Sequence, residues 1–385
     1  MEADHYSATS FGRPRRAGGR NSYVAYYPAP IPREIELPSA TVGLLADAEA
    51  ALGQLAGVGR LLPNPDLLIR PYLLREALSS TRIEGTQASM VEVLEADAGG
   101  EMRSEDVNEV VNYVVAMRKG LDRLAELPIS TRLIREVHGE LMVGVRGQEL
   151  SPGELRTSQN WVGPSSSTIA TAPFVPPPPE ELGALLSDWE RFANEELEMP
   201  VLVQDALLHA QFQTIHPFLD GNGRLGRLVV VFFLVARGRL PSPLLYLSAY
   251  LETHRSDYYA ALQSIREEGD PTPWLDLFLT AVRSQAEDAV TRAARILETR
   301  ESYRARTQGM GSPNAAGLVE MVCVNPIVTA KAVENGLGVS RPTALRLLMS
   351  MERHGVLEQV SPGARGQRRY VARQIMDVVT GDLDG

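Results

Sequence analysis

Cysteine is nearly missing from this 385-residue chain: Cys323 stands alone, so no internal disulfide can form, and no Cys/His cluster has tetrahedral zinc spacing. A secreted disulfide scaffold and a zinc finger are both excluded. Long apolar runs are missing too. The longest, nine residues at 228–236 between Arg227 and Arg237, falls far short of the ~20 that span a bilayer, and the N-terminus has no apolar signal segment. The expectation is a cytoplasmic protein with no membrane contact. Net charge is −10, which argues against nonspecific coating of nucleic acid by the whole molecule while leaving room for one basic module. Hydrophobic and charged residues, 44% and 22%, stand in the proportions of a folded chain, and the length implies two or three domains.

The texture is mainly helical. Residues 1–22 carry Arg13, Arg15, Arg16 and Arg20 with little apolar content, and read as a flexible tail. A helical region follows over 23–125, with Leu44, Leu45, Ala48, Leu52 and Leu55 at helical spacing, then 67–78, then Val110, Val111, Val114 and Val115. Helical patterning breaks once, between Ser151 and Pro179, where 159–163 and 169–175 have the residues of a β-hairpin and four prolines, 176–179, form a stiff connector. Helices resume to about Arg300, giving a core at 126–282 and a helical linker at 283–310. Residues 311–375 differ again. A short helix at 328–335, a Gly turn, and a second helix capped by Ser340 with Pro342 in its first turn lead into two strands, 356–360 and 369–372. That order is a winged helix-turn-helix. From 311 to 372 seven cations, Lys331, Arg341, Arg346, Arg353, Arg365, Arg368 and Arg369, face four acids, so that stretch is about +3 and the rest about −13. Residues 376–385 read as a tail.

One segment concentrates chemistry: His216-Pro217-Phe218-Leu219-Asp220-Gly221-Asn222-Gly223-Arg224-Leu225-Gly226-Arg227. Pro217 and the Gly-Asn-Gly turn keep the chain irregular between a helix ending near Thr214 and another starting near Gly223. The first-turn N–H groups of the second helix are then free to cradle an anion. Arg224 and Arg227 lie one turn apart, and guanidinium forks suit phosphate oxygens. Asp220 would repel a bare phosphate but suits a bridging Mg²⁺. His216 can take a proton near pH 7. Together these residues describe phosphoryl or nucleotidyl transfer, and Phe218 reads as core packing.

The segment resembles the signature of the Fic (Fido) family, His-x-Phe-x-Asp/Glu-Gly-Asn-Gly-Arg-x-x-Arg, with every defining position present. The resemblance extends to the hairpin and proline run, the Tyr258-Tyr259 region and the winged terminus. It implies a Fic-type helical bundle with a small β-hairpin flap and a C-terminal winged helix-turn-helix. The implied activity is AMP transfer from ATP, with Mg²⁺, to a Tyr, Ser or Thr hydroxyl of a target protein. His216 would be the base and Asp220 the Mg²⁺ ligand. Gly221, Asn222 and Gly223 would line the anion hole, with Arg224 on the phosphates and Arg227 on the γ-phosphate. Tyr259 would lie near the adenosine, with a plain core role as the alternative. The flap, roughly 156–175, would hold the target backbone, with Trp161 and Val162 as its contacts.

Members of the family carry an inhibitory helix of pattern Ser/Thr-x-x-x-Glu-Gly/Asn. Two stretches fit: Ser80 to Gly85, with Glu84, and Ser264 to Gly269, with Glu268. Glu84 is favoured, because it ends a helical run that Gly85 can cap and lies ahead of the core. It would pair with Arg227 and keep the γ-phosphate off it. Other readings stay open: a transcriptional regulator whose core senses nucleotide, a de-AMPylase, or a transferase of another phosphate-containing group. DNA and a protein remain rival ligands of the winged segment, and pairing with a second copy is undecided.

Overall fold

The computed structural model describes residues 1, 5–18, 22–61, 66–98, 104–164, 166–360 and 368–381. It opens with an antiparallel hairpin, β1 (Gly12–Ala17) on β2 (Tyr23–Pro28), in which Gly12 lies opposite Pro28 and Ala17 opposite Tyr23. This corrects the flexible tail expected over 1–22. The three arginines of β1 are exposed, and its partner strand supplies the apolar packing through Tyr23, Val24, Tyr26 and Tyr27. Arg20 lies outside the described residues.

Helices α1 (Ser39–Leu61), α2 (Asp66–Ile83), α3 (Met90–Asp97), α4 (Glu105–Leu124) and α5 (Thr131–Leu141) follow. Three of their starts are written locally. Ser89 and Glu92 form a reciprocal capping box on α3, while Ser104 and Ser130 cap α4 and α5 by accepting from the backbone N–H three residues on. Residues 142–178 contain no helix or strand among those described. The expected hairpin is reduced to one antiparallel bridge between Val162 and Phe174, with N···O distances of 2.9 and 3.4 Å. Pro164 and Pro173 beside it withhold the N–H groups that a longer ladder needs.

The proline run enters α6 (Leu182–Asn194), then α7 (Val201–Ile215), α8 (Asn222–Ala236), α9 (Ser248–Thr253), α10 (Arg255–Glu267) and α11 (Thr272–Thr307). Helices α7 and α8 are apolar and buried on nearly every side, so they form the centre of the molecule. Trp189 of α6 and Trp274 of α11 donate their indole N–H groups to the Leu208 and Ala206 carbonyls of α7. The 283–310 segment is no separate linker. It continues α11 without a break and packs against α1, α12 (Ala315–Val324) and α15 (Arg373–Thr380).

Between those last two helices lie β3 (Ile327–Thr329), α13 (Ala330–Leu337), α14 (Arg341–Arg353), β4 (Glu358–Val360) and β5 (Arg369–Val371), with strand order β3-β5-β4. The helix expected from 328 starts two residues later, because Val328 pairs with Tyr370 and Thr329 caps α13 through the Ala332 N–H. The tail expected from 376 is likewise corrected. Ile375, Met376, Val378 and Val379 are buried where α15 meets α11 and α2. Among the described residues no helix is long and apolar enough to cross a membrane.

Candidate active site

The loop between α7 and α8 begins with an unusual backbone. His216 precedes proline, which disfavours a further right-handed helical residue, and it adopts a left-handed conformation at φ 50°, ψ 60° as the cap of α7. Its N–H donates to the Phe212 carbonyl at 3.0 Å. The end carbonyls of α7 need donors, and Arg156 supplies them. The buried guanidinium donates from Nε to the His216 carbonyl at 2.9 Å and from Nη2 to those of Ile215 and Pro177. The His216 ring lines a cleft of about 880 Å³, its Nδ1 3.4 Å from the Gln213 carbonyl. Burial, and then the Arg156 charge, pull the imidazole down to about 4, so it is neutral at pH 7.

Asn222 ties the loop shut. Its Oδ1 accepts from the Phe218 N–H at 2.9 Å and its Nδ2 donates to the Phe218 carbonyl at 2.8 Å, so the side chain is a structural staple and leaves only the backbone of Asn222 to face an anion. Asn160 donates to the same carbonyl. His138 stacks on Phe218 with centroids 3.9 Å apart. Its Nδ1 accepts from the Gly153 N–H, which leaves Nε2 to donate to the Asp220 carbonyl at 3.0 Å. Asn222→Ala removes both staple bonds from a buried site. It should lower stability by about 2 kcal/mol, read as a lower midpoint in urea unfolding.

No side-chain hydrogen bond caps the start of α8. Gly221 is left-handed at φ 76°, and a Cβ on Gly223 would collide with Glu84 Oε1. The Glu84 carboxylate therefore rests against the first turn of α8, where an anion belongs. Arg227 Nη2 donates to Glu84 Oε1 and to the Ser80 carbonyl, and its Nε to Ser80 Oγ, all at 2.8 Å. Burial works against the Glu84 charge, but Arg227 outweighs it and holds the carboxyl below its ordinary range. Gly85, at φ 102°, turns the chain out of α2 immediately afterwards. Glu268, in the rival pattern, ends α10 and makes no ion pair with Arg227.

The two arginines diverge. Arg227 lines the cleft, whereas Arg224 lies behind it with Nη2 3.4 Å from Met142 Sδ and 3.7 Å from Asp220 Oδ1, and Nη1 3.6 Å from Glu109 Oε2. Arg224 is buried, yet its Nε and Nη1 make no hydrogen bond among the described residues. Asp220 is partly exposed, with Oδ1 accepting from the Gly221 N–H at 2.6 Å.

Tyr259 lines the cleft and is half exposed, while Tyr258 is core, its hydroxyl 2.9 Å from His209 Nε2. Val162 lines the cleft. Trp161 does not; its indole N–H donates to the Ser167 carbonyl. In the C-terminal part, Arg341 and Arg346 are exposed on α14, but Arg369 is taken by Glu95 of α3, and Arg365 lies outside the described residues. The basic footprint expected there is therefore smaller.

Sequence reasoning named neither His138 nor Asn160 and gave Arg156 only as the start of the flap. All three sit 56 or more residues before the loop they hold, and no local pattern marks them.

Residues 42–122 match the Fic/DOC family N-terminal description, and residues 128–234 match the Fic/DOC family. The chain is 28% identical over 255 residues to Protein adenylyltransferase Fic of Drosophila erecta, and equally to that of Drosophila melanogaster, covering 62% of this chain and 47% of each relative. It thus spans about half the length of the curated relatives it matches. A solved Fic family protein from Desulfovibrio desulfuricans superposes with a TM-score of 0.58 at 21% identity, covering 88% of this chain and 97% of that one. A Fic domain containing signaling protein from Bacteroides thetaiotaomicron gives 0.51 at 22%, covering 66% and 96%. These structural likenesses show the fold alone.

Proposed function

We propose, for a chain that carries a Fic/DOC N-terminal region and a Fic/DOC domain, that its cleft transfers AMP from ATP to a hydroxyl side chain of a target protein, with Glu84 holding it slow at rest. The observation that carries this reading is the convergence on one cleft of neutral His216, the start of α8 and Arg227. The acceptor oxygen attacks the α-phosphorus, the bond from that phosphorus to the oxygen bridging the β-phosphorus breaks, and pyrophosphate leaves. His216 takes the hydroxyl proton at Nε2, its Nδ1 being turned to the Gln213 carbonyl.

The backbone of 221–223 receives the phosphates, Arg227 the γ-phosphate, and Arg224 brings its Nε, which makes no hydrogen bond among the described residues. Tyr259 flanks the adenosine side of the cleft. Asp220, partly exposed beside the first turn of α8, would hold Mg²⁺ as a single carboxylate, with phosphate oxygens and water as the remaining ligands. When bound, Mg²⁺ offsets charge on the α- and β-phosphates. Glu84 occupies the cradle and Arg227 together, so productive ATP has to displace it.

Incubation with ATP labelled at the α-phosphate tests this. Label should enter the chain or an added target, no label should enter from γ-labelled ATP, and His216→Ala should take up neither. A second reading, removal of AMP from a modified target, is supported by Glu84 and His216 lining the same cleft; it predicts loss of AMP from a modified target without added ATP.

The pH profile follows from the histidine. A protonated ring cannot accept the hydroxyl proton, so kcat/KM falls as pH drops through its pKa. With that pKa near 4, the profile of the Glu84→Gly form should stay flat from pH 8 to about 5.5. An acid limb centred at the ordinary histidine value of 6.5 is the contrary result.

A further inference from the structure

We propose that residues 5–18 and 22–28 form a clamp that fixes the described part of the flap, residues 159–164 and 166–175, at its distance from His216 and so positions the acceptor hydroxyl. The kinetic part of this rests on the transferase reading; the structural part does not. One bridge between Val162 and Phe174 is far less than the strand pairing a hairpin needs in water, and the flap's other internal bonds are local turns at its tip, among them Trp161 to the Ser167 carbonyl and Ala172 to the Thr168 carbonyl. Asn160 ties one limb to the Phe218 carbonyl, and the N-terminal arm braces both limbs. Tyr23 donates its hydroxyl to Gln159 Oε1 at 3.0 Å on one limb. On the other limb, the Tyr6 hydroxyl donates to the Pro173 carbonyl at 2.7 Å and the Tyr26 N–H to the Val175 carbonyl at 2.9 Å.

These contacts enclose a small apolar core, separate from the main one, in which Tyr6 and Tyr26 from the arm pack with Ala172, Phe174 and Val175 from the flap. The same arm is fastened to α10. The Ser7 N–H donates to the Glu267 carbonyl at 3.0 Å, and Gln263 Nε2 donates to the Tyr6 hydroxyl.

A continuous row of tilted rings then runs inward. The Tyr6 and Tyr26 ring centroids are 5.8 Å apart, and those of Tyr26 and Phe174 6.1 Å. The Arg266 guanidinium lies 4.0 Å from the Phe174 centroid and donates from Nε to Thr214 Oγ1 at 3.0 Å, two residues before His216. Phe174, Arg266 and His216 all line the cleft. The gap an acceptor must enter is therefore bounded by a row of packed rings whose outer end is the arm, and none of the arm's bonds named here reaches α8. Tyr6 and Tyr26 are positioning residues. Loosening them should disturb the acceptor and leave the nucleotide alone.

Hydrogen exchange of the full chain, in the Glu84→Gly background, tests this with Tyr6→Ala and Tyr6→Phe. Tyr6→Ala should speed exchange over 159–175 about tenfold and Tyr6→Phe two- to threefold, with 201–236 unchanged. Affinity for a non-hydrolysable ATP analogue should be unchanged, and self-modification by ATP should slow at least fivefold in Tyr6→Ala. Flap exchange within a factor of two of the parent in Tyr6→Ala overturns the clamp, as does faster flap exchange with undiminished self-modification. If Tyr6→Ala loosens 201–236 as well, Tyr6→Phe decides by the same exchange criterion. If the Glu84→Gly parent itself takes up no AMP, the transferase reading fails, and the exchange data still decide the clamp.

Discussion

Glu84→Gly raises incorporation of AMP from α-labelled ATP into the chain by about 30- to 160-fold, the factor expected when ~2–3 kcal/mol of charge-assisted hydrogen bonding no longer competes for Arg227. Two contacts support a figure of this size. Glu84 Oε1 accepts from Arg227 Nη2 at 2.8 Å, and the carboxylate presses on the first turn of α8 at Gly223. Glu84→Gln separates the two. It keeps the bulk over Gly223 and removes the charge, so its rate should fall between the parent and Glu84→Gly. The release has a cost. Arg227 is buried, and without Glu84 its charge loses its one ion-pair partner among the described residues and keeps the neutral groups of Ser80 and Tyr258. The Glu84→Gly protein should therefore melt several degrees lower without nucleotide, and ATP should restore much of the difference by binding the folded state.

His216→Ala, in the Glu84→Gly background, lowers incorporation by about 10²- to 10⁴-fold, the range for loss of a positioned base. One complication is built into the backbone. His216 sits at φ 50°, where alanine is strained and asparagine is better tolerated. His216→Asn is thus the cleaner variant. It should match His216→Ala in lost activity, keep a melting temperature nearer the parent, and bind ATP as tightly as the Glu84→Gly form. Rates that stay within tenfold in both variants would remove the base role.

The site was readable where its residues are contiguous. His216 to Arg227 could be interpreted in one window because the left-handed cap, the glycine turn and the open helix start are local consequences of Pro217, Gly221 and Gly223. The Ser80 to Gly85 pattern was readable too, but its choice over Ser264 to Gly269 depended on placement, and the geometry adds the Arg227 contact to only one of them. What the window hid is what other segments bring to it. Arg156 satisfies the end of α7, and His138 and Asn160 hold the loop, none at a telling spacing.

The corrected elements share that cause. Residues 12–17 look like a tail because their arginines face solvent and their apolar partners belong to β2. Residues 376–380 look like a tail until α11 and α2 supply the surface that Met376 and Val379 bury. Arg369 read as a free cation because Glu95 lies 274 positions away. The flap read as a hairpin from its β-forming residues, and the prolines at 164 and 173 limited it to one bridge.

Intact-mass spectrometry of the Glu84→Gly chain, incubated with Mg²⁺ and separately with ATP or UTP, tests most directly whether this cleft transfers AMP. The expected result is a gain of one or more AMP groups with ATP alone, absent from the Glu84→Gly/His216→Ala chain and much weaker in the parent. A phosphate or UMP adduct, an AMP adduct that persists without His216, or no adduct at all would contradict it.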